Sequence, residues 1–165
     1  MLAITELREA DIVDVATAFA VLNKSERQYR RYFAEQQDGK RQVLLARSDD
    51  EVCGYLTIVW TPDYTPFRDA AIPEIQDFNV VPRFRRRAIG TQLMDEAEKR
   101  IRQRSPTAGI GVGLFHDYGA AQRLYVLRGY VPDGRGITSH GSRLNWGDAA
   151  KADDDLVLWL TKPLS

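Results

Sequence analysis

The chain has 165 residues, 44% hydrophobic and 28% charged, which is the composition of a folded globular protein. Its basic and acidic side chains balance at 23 each, so net charge excludes a general attraction to nucleic acid or an anionic membrane. The single cysteine, Cys53, excludes an internal disulfide and a cysteine-cluster metal site, and we interpret it as a small buried side chain rather than a nucleophile. No apolar stretch reaches membrane-spanning length, and the first residues do not form a signal peptide. We therefore expect one cytoplasmic domain over residues 1–165, without a metal.

The first third of the chain predicts two helices between strands. A short strand over residues 2–7 precedes a helix for which Asp11 is the expected N-cap. A second, more polar helix covers 25–37. Two strands over 42–47 and 52–60 follow, and the SDDE between them is typical of a hairpin turn.

Residues 61–73 contain three prolines and no hydrophobic period, so we expect a loop. Tyr64 and Phe67 in this loop either face a substrate or cover the core. The sequence leaves both interpretations open.

The middle of the chain predicts a strand, a basic loop and a helix. The strand covers 74–80, but its apolar residues Ile75 and Phe78 break the two-residue period of a strand. This break predicts one extra residue, a bulge, near Gln76 and Asp77. Because bulges often lie beside active sites, this strand is a candidate wall of one.

The helix begins near Gly90 and carries an apolar stripe on one face. The stripe consists of Leu93, Met94, Ala97 and Ile101. Its outer face offers two acid-to-base pairs four residues apart, Asp95 with Lys99 and Glu96 with Arg100.

The loop before this helix, PRFRRRAIG, places basic side chains in front of a helix N-terminus. The unpaired N–H groups and the positive end of the helix dipole form an anion site there, and Arg85, Arg86 and Arg87 add charge. Ala88 and Gly90 keep the turn small enough for a phosphate to approach the backbone. A nucleic-acid contact and a solvated charge run are the alternatives, and the helix that follows directly favours a phosphate.

The last third predicts a strand, a helix and a closing strand. Residues 107–115 alternate apolar residues with glycines, which leaves one face open to close approach by a backbone or a ligand. With the preceding strand and helix they predict a βαβ unit, with a ligand crevice at the carboxyl ends of its two parallel strands. A helix over 116–130 ends at Gly129. Residues 131–155, rich in Gly, Asp and Ser, predict a mobile segment before the final strand LVLWLTKPL.

The stretch VVPRFRRRAIGTQLM resembles motif A of the GNAT superfamily, the acetyl-CoA-dependent N-acetyltransferases. That pattern is V-x-P-x-x-R/Q-x-x-G-x-G/A followed by a helix. Arg85 matches its Arg/Gln and Gly90 its last position, whereas Arg86 and Ala88 stand where the family commonly has Gly.

A second stretch, HDYGAAQRLYVLRGY, resembles motif B of the same family, N-x-x-A-x-x-L-Y-x-x-x-G-F/Y. It matches at Ala121, Leu124, Tyr125, Gly129 and Tyr130. Tyr118 stands where Asn is usual. The two motifs occur in the order and at the spacing of the family.

The resemblance implies a mixed α/β fold. A mostly antiparallel central sheet with one parallel βαβ pair would form a V-shaped acetyl-CoA crevice, with helices on both faces. It also implies acetyl-CoA as co-substrate, an amine as acceptor and direct transfer in a ternary complex. We expect no nucleic-acid or membrane partner, and a monomer or homodimer.

The resemblance further implies roles for individual residues. The pantetheine arm would pair with the backbone of strand 74–80, a backbone N–H at the bulge would bind the oxyanion, and Tyr125 would protonate the leaving thiolate. The general base would be Glu74, at a position where histone acetyltransferases of the family carry a catalytic glutamate, or Asp77 at the bulge. The residues expected to bind the cofactor are Phe78, Asn79, Val80, Arg85, Arg86, Arg87, Ala88, Ile89, Gly90, Thr91 and Tyr118.

Two other functions are compatible with parts of this pattern. A non-catalytic acyl-CoA-binding regulator would share the fold without turning over acetyl-CoA. A nucleic-acid-binding module would use RFRRR, but the zero net charge and the lack of interleaved aromatic and basic residues elsewhere argue against it.

Overall fold

The computed structural model describes all residues from 1 to 165 and contains one eight-stranded sheet. Its strands are β1 (Leu2–Glu6), β2 (Arg41–Ser48), β3 (Glu51–Val59), β4 (Glu74–Val80), β5 (Thr107–Gly113), β6 (Val131–Ser139), β7 (Ser142–Arg143) and β8 (Leu156–Pro163). They lie in the order β1-β2-β3-β4-β5-β8-β6-β7. All neighbouring strands are antiparallel except β4 and β5, which confirms the predicted mixed sheet with one parallel pair.

Five α-helices cover the two faces of this sheet. They are α1 (Ile12–Ala18), α2 (Glu26–Gln37), α3 (Thr65–Asp69), α4 (Ile89–Arg102) and α5 (Gly119–Leu127). Two adjacent residues of β3 show which helices lie on each face. Tyr55 packs against Phe19 and Tyr29 on the side of α1 and α2, whereas Gly54 faces Leu93 of α4 on the other side. None of the helices is both long and apolar enough to cross a membrane.

Helix α4 presents its predicted apolar stripe to the core, and all four residues of the stripe are fully buried. One of its two predicted surface pairs forms, with Arg100 Nε donating to Glu96 Oε1 at 2.8 Å. The other does not, because Asp95 instead accepts from Arg128, the residue after α5, at 2.8 Å while Lys99 lies nearest to Glu96. A cross-helix arginine therefore replaces the local pair, which the sequence of one helix does not reveal.

Two predictions for the first half of the chain need correction. Asp11 does occupy the predicted N-cap position of α1, but its carboxylate makes no cap hydrogen bond to that helix and accepts instead from Arg8 and Arg47. The predicted loop over 61–73 contains the short helix α3, whose proline lies in the first turn, where proline is tolerated. Phe67 of this helix is buried, so of the two interpretations it covers the core.

The prediction of a mobile segment over 131–155 is wrong for its first part, because β6 and β7 form a hairpin there at the edge of the sheet. The strand is hard to detect because Pro132, Gly134 and Gly136 interrupt its pattern. The register of β6 against β8 also shifts between Pro132 and Ile137, which accommodates the two glycines at φ +82° and +76°.

The predicted glycine face of β5 is filled by aromatic side chains of this chain. A Cβ on Gly109 would lie 2.3 Å from the ring of Phe67, and one on Gly113 would lie 2.3 Å from the ring of Tyr118. Gly111 likewise leaves room for Trp159. The close approach that the glycines permit is thus made by the protein's own side chains.

Candidate active site

The sheet opens between its two parallel strands. β4 and β5 pair only at Glu74 with Gly109 and at Ile75 with Ile110. Beyond these residues β4 continues to pair with β3 as far as Val80, and β5 continues to pair with β8. The facing edges of β4 and β5 are therefore free of each other, and a V-shaped crevice begins just after Ile75.

The predicted bulge lies on β4 at the head of this crevice. Tyr55 of β3 pairs with Asn79 and Thr57 pairs with Gln76, so β4 contains one more residue than β3 over this interval. Asp77 adopts the left-handed conformation at φ +52°. The bulge is thus confirmed at the predicted residues, and it turns the backbone of β4 toward the crevice.

The carboxylate of Asp77 is surrounded by donors. Lys24 forms an ion pair with its Oδ1, the hydroxyl groups of Tyr55 and Tyr32 donate to Oδ2 at 2.7 and 3.0 Å, and the amide of Asn79 donates at 2.9 Å. These partners come from the loop before α2, from α2, from β3 and from β4. Asp77 therefore holds four elements together around the bulge, and none of its lone pairs is left without a nearby donor.

Glu74 has the opposite surroundings. Its side chain is 5% exposed, and its Oε2 has no hydrogen-bond partner. Burial raises the pKa of Glu74 to about 7, although the side chain of Gln76 and the charge of Arg41 oppose the rise. A carboxylate with a free oxygen and a pKa near neutrality is suited to accepting a proton at physiological pH. Of the two predicted bases, the geometry favours Glu74.

Tyr125 lies on α5 with its side chain 6% exposed. Burial raises its pKa, and no charged group lowers it, so the phenol keeps its proton at neutral pH. The ring centroids of Tyr125 and Tyr130 are 6.2 Å apart. The hydroxyl of Tyr125 has no hydrogen-bond partner within the protein. A protonated, uncommitted hydroxyl can serve as a proton donor to a ligand.

The loop between β4 and α4 has the free backbone donors that the predicted anion site requires. The backbone N–H groups of residues 86–91 donate to no carbonyl of the chain. Arg86 and Ala88 have φ values of +62° and +58°, and such alternation of left- and right-handed residues directs successive N–H groups into one concavity. Arg85, Arg86 and Arg87 are exposed and have no acidic partner. The two positions where the sequence departs from the family's glycines are thus the two left-handed ones.

Gly90 has a packing role that the sequence did not show. A Cβ there would lie 3.0 Å from the ring of Phe78 on β4. The glycine therefore lets the first turn of α4 approach the strand, and a side chain at this position would press against the Phe78 ring.

Two further predicted cofactor residues have their side chains committed elsewhere. The amide of Asn79 donates to Asp77 and to Tyr55, so only its backbone remains for a ligand. The hydroxyl of Tyr118 donates to Asp154 at 2.8 Å. The remaining predicted residues are half-buried beside the crevice at Phe78 and Val80 or lie at the start of α4 at Ile89 and Thr91.

Sequence reasoning missed the residues that complete the site from a distance. Lys24 and the tyrosines of α2 and β3 reach Asp77 only through tertiary folding, and no local pattern marks Lys24. The sequence leaves open whether Tyr64 faces a substrate or covers the core. In the structure its ring stacks on that of Trp159 at 4.0 Å. An isolated aromatic residue in a loop was the one signal available for this pair.

Comparisons with known proteins agree with this geometry. The model of the acetyltransferase (GNAT) family matches residues 9–130, whereas no curated protein sequence matches the chain.

Among solved structures, an N-acetyltransferase from Staphylococcus aureus is 13% identical with a TM-score of 0.74, covering 100% of this chain and 99% of its own. A ribosomal-protein-alanine N-acetyltransferase from Brucella melitensis is 19% identical with a TM-score of 0.70, covering 98% and 99%. The yncA protein from Salmonella typhimurium, solved with its cofactor acetyl-CoA, is 18% identical with a TM-score of 0.68, covering 99% and 94%. At these identities the structures establish the fold, and the family model establishes that the chain belongs to the GNAT acetyltransferase family.

Proposed function

We propose that this chain transfers an acetyl group from acetyl-CoA to a primary amine by direct attack in a ternary complex. The observation that carries the proposal is Glu74, a buried carboxyl group with an unpartnered oxygen and a pKa of about 7 at the closed end of the crevice. Burying a carboxyl group without a partner destabilises a fold, and groups with such shifted pKa values are concentrated at sites that transfer protons.

The crevice suits the shape and charge of the cofactor. The free N–H groups of residues 86–91 and the three arginines before them would bind the pyrophosphate. The free edge of β4 at Phe78, Asn79 and Val80 would pair with the amides of the pantetheine arm, as a further strand would. In this position the thioester would lie beside the bulge.

The residues around the thioester account for each proton that the reaction moves. Glu74 accepts a proton from the ammonium, directly or through water, because an ordinary alkylamine has a pKa of ~10.4 and is protonated at neutral pH. The amine then attacks the carbonyl carbon, and a backbone N–H of the bulge stabilises the oxyanion. When the carbon–sulfur bond breaks, Tyr125 donates its proton to the thiolate and is reprotonated from solvent.

An acetylation assay with a panel of amines tests this function. The free thiol of CoA should appear with at least one amine, and its rate should exceed the rate of acetyl-CoA hydrolysis without amine. The panel should include amino acids, polyamines, an amino sugar and a peptide with a free N-terminus, because the fold does not specify the acceptor. Tight binding of acetyl-CoA without turnover of any amine would refute the proposal and support an acyl-CoA-binding regulator.

A further inference from the structure

A cavity of about 490 Å³ lies on the same face of the sheet as Glu74. Glu74 is the register partner of Gly109, so both point to the face on which Phe67 covers Gly109 and Trp159 covers Gly111. We call this cavity the side pocket. It lies between α3, the hairpin β6–β7 and strand β8, next to the strand that forms one wall of the crevice.

The side pocket has a rigid aromatic wall. The rings of Tyr64 and Trp159 stack at 4.0 Å with 5° between their planes. Each ring is tied at its polar end, since the Tyr64 hydroxyl donates to Asp133 at 2.7 Å and the Trp159 indole N–H donates to Thr138 at 2.9 Å. Both partners lie on β6. Because both rings are already held in place, a flat or apolar group can bind against them with little further loss of side-chain conformational entropy.

The β6 strand directs an arginine into this pocket. Arg135 stands between Gly134 and Gly136, both left-handed, in the stretch where β6 leaves its register with β8. The guanidinium of Arg135 forms no ion pair, and the carboxylate of Asp133 accepts instead from the Tyr64 hydroxyl and from the backbone N–H of Arg135. Arg143 of β7 lines the same end of the pocket and also has no acidic partner. A bulge that re-aims a side chain is a common way to build a binding site.

The other lining charges are acidic and differ in their availability. Asp155 is paired with His140, whose Nε2 lies 3.2 Å from its Oδ2. Asp63 has no basic partner, and its charge is close enough to contribute to the raised pKa of Glu74. The pocket therefore has a free carboxylate on the side of Glu74 and two free guanidinium groups on the side of the hairpin.

We infer that the side pocket binds the acceptor, and that the acceptor is a small primary amine that also carries a carboxylate, in the manner of an apolar amino acid. This inference rests on the proposed function. The ammonium lies toward Asp63 and Glu74, the carboxylate pairs with Arg135 and Arg143, and the apolar body lies against Tyr64 and Trp159. A polyamine or an amino sugar with several ammonium groups is disfavoured, because its further cations would face the two arginines.

Matched ligands and variants test the charge recognition. The probes are phenylalanine, tryptophan and leucine, each compared with its carboxamide and with the amine that lacks the carboxylate. Arg135→Ala should raise the KM of the preferred amino acid about tenfold to a hundredfold, since charge-assisted pairs are the stronger hydrogen bonds. The KM values of the amide and of the simple amine should change less than about twofold. Arg135→Lys should restore part of the affinity, and Arg102→Ala, which removes an exposed and unpaired arginine at the far end of α4, should change nothing.

A binding measurement separates this inference from the proposed function. Calorimetry should show that the amino acid binds, both to the protein alone and to the protein saturated with CoA. Arg135→Ala should weaken this binding. Binding of this kind without acetylation would uphold the pocket and refute the proposed function. Acetylation of a polyamine or peptide, with no response to Arg135→Ala, would uphold the function and overturn the pocket. If none of the three amino acids binds in either state, the inference is also overturned.

Discussion

Glu74 and Asp77 stand three residues apart on one strand, and their surroundings give them different chemistry. Asp77 is enclosed by a lysine and three hydrogen-bond donors, so both of its carboxylate oxygens already have partners within the protein. Glu74 is buried with one oxygen free. The bulge between them explains the difference, because it turns Asp77 toward α2 while Glu74 stays at the closed end of the crevice.

Replacing Glu74 by Gln should therefore remove the proposed base. Near neutral pH the turnover number should fall by roughly 10²–10⁴-fold, the usual contribution of general acid–base catalysis. The loss should shrink at high pH, where the amine deprotonates without help, and the wild-type rate should rise as pH passes about 7, the pKa of Glu74. A pH–rate profile measures this. Asp77→Asn is the comparison, and it should lower the rate by an equal factor at every pH; the reverse pattern would make Asp77 the base.

The same variant has a stability signature. The pKa of Glu74 is about 7 in the fold and 4.5 ordinarily, so the fold binds the proton more tightly than the unfolded chain does. The contribution of Glu74 to the free energy of unfolding should therefore be fully present below pH 4.5 and fall by roughly 3 kcal/mol as pH rises through 7. Glu74→Gln should lack this fall and be the more stable protein at pH 8, as urea denaturation at several pH values would show.

Tyr125→Phe should lower the turnover number and leave acetyl-CoA affinity unchanged. The hydroxyl is needed only when the carbon–sulfur bond breaks, and its loss removes transition-state stabilisation alone. Because a thiolate can leave without a proton, we expect the lower end of the usual range, about 10²-fold or less. Since the hydroxyl has no partner in the protein, the melting temperature should also stay constant. Normal turnover would remove Tyr125 from the mechanism.

Ala88→Gly should stabilise the protein. Ala88 has a φ of +58°, and the left-handed conformation costs an L-residue roughly 1–2 kcal/mol. Glycine avoids this strain, but it loses more backbone entropy on folding, which cancels about half of the gain. We expect a gain of about 0.5–1 kcal/mol in the free energy of unfolding. Ala34→Gly is the matched control, because this exposed alanine lies inside α2 and its replacement should cost about 1 kcal/mol. Equal losses in the two variants would contradict the strain at Ala88.

At the scale of the elements, α4, α5 and β8 are joined by a buried carboxylate. Glu98 of α4 accepts from Arg128 at 3.1 Å, from Tyr130 at 3.2 Å and from Lys162 of β8 at 2.8 Å. Its side chain is 7% exposed. The cluster holds α5, and with it Tyr125, against the helix that begins at the anion site.

Glu98→Ala should therefore destabilise the fold by about 3–5 kcal/mol, because it leaves the partly buried Lys162 without a counter-charge and Arg128 with only the exposed Asp95. Asp95→Ala removes another partner of Arg128, but Asp95 is 62% exposed, so its loss should cost less than about 1 kcal/mol. Chemical denaturation of both variants gives the two free energies. Similar costs would show that burial does not decide the strength of these pairs.

At the scale of the molecule, a net charge of zero conceals a local concentration of positive charge. Eight of the 18 arginines form ion pairs with carboxylates, whereas Arg85, Arg86 and Arg87 form none. They surround the free N–H groups at the start of α4, so positive charge is concentrated at that end of the crevice.

Acetyl-CoA should accordingly stabilise the whole fold. At a concentration a hundredfold above its dissociation constant it should add about 2.7 kcal/mol to the free energy of unfolding. The gain should fall with rising salt, because exposed charges are screened. Arg85→Ala should reduce it mildly, since the backbone groups remain. Thermal melts with and without the cofactor, at low and high salt, provide the measurement. An unchanged melting temperature at low salt would place the cofactor elsewhere or exclude it.

Local sequence determined the elements whose signals are repeated over several residues. Periodicity and capping alone predict the apolar stripe of α4, the Gly129–Tyr130 pair that follows α5, and the strand over 74–80. Even the bulge at Asp77 was predictable, because one inserted residue shifts the hydrophobic period that the strand must keep against the core. These features depend on neighbours within a few positions of each other.

Tertiary structure alone decided which of these residues share a site. β6 was missed because its proline and two glycines hide a strand that exists by pairing with β8, a partner some 20 residues away. The choice between Glu74 and Asp77 depended on Lys24, Tyr32 and Tyr55, which lie on other elements. Burial and charge neighbours set a pKa, and both are properties of the packed fold, so the local sequence could name two candidate bases and only the structure could distinguish them.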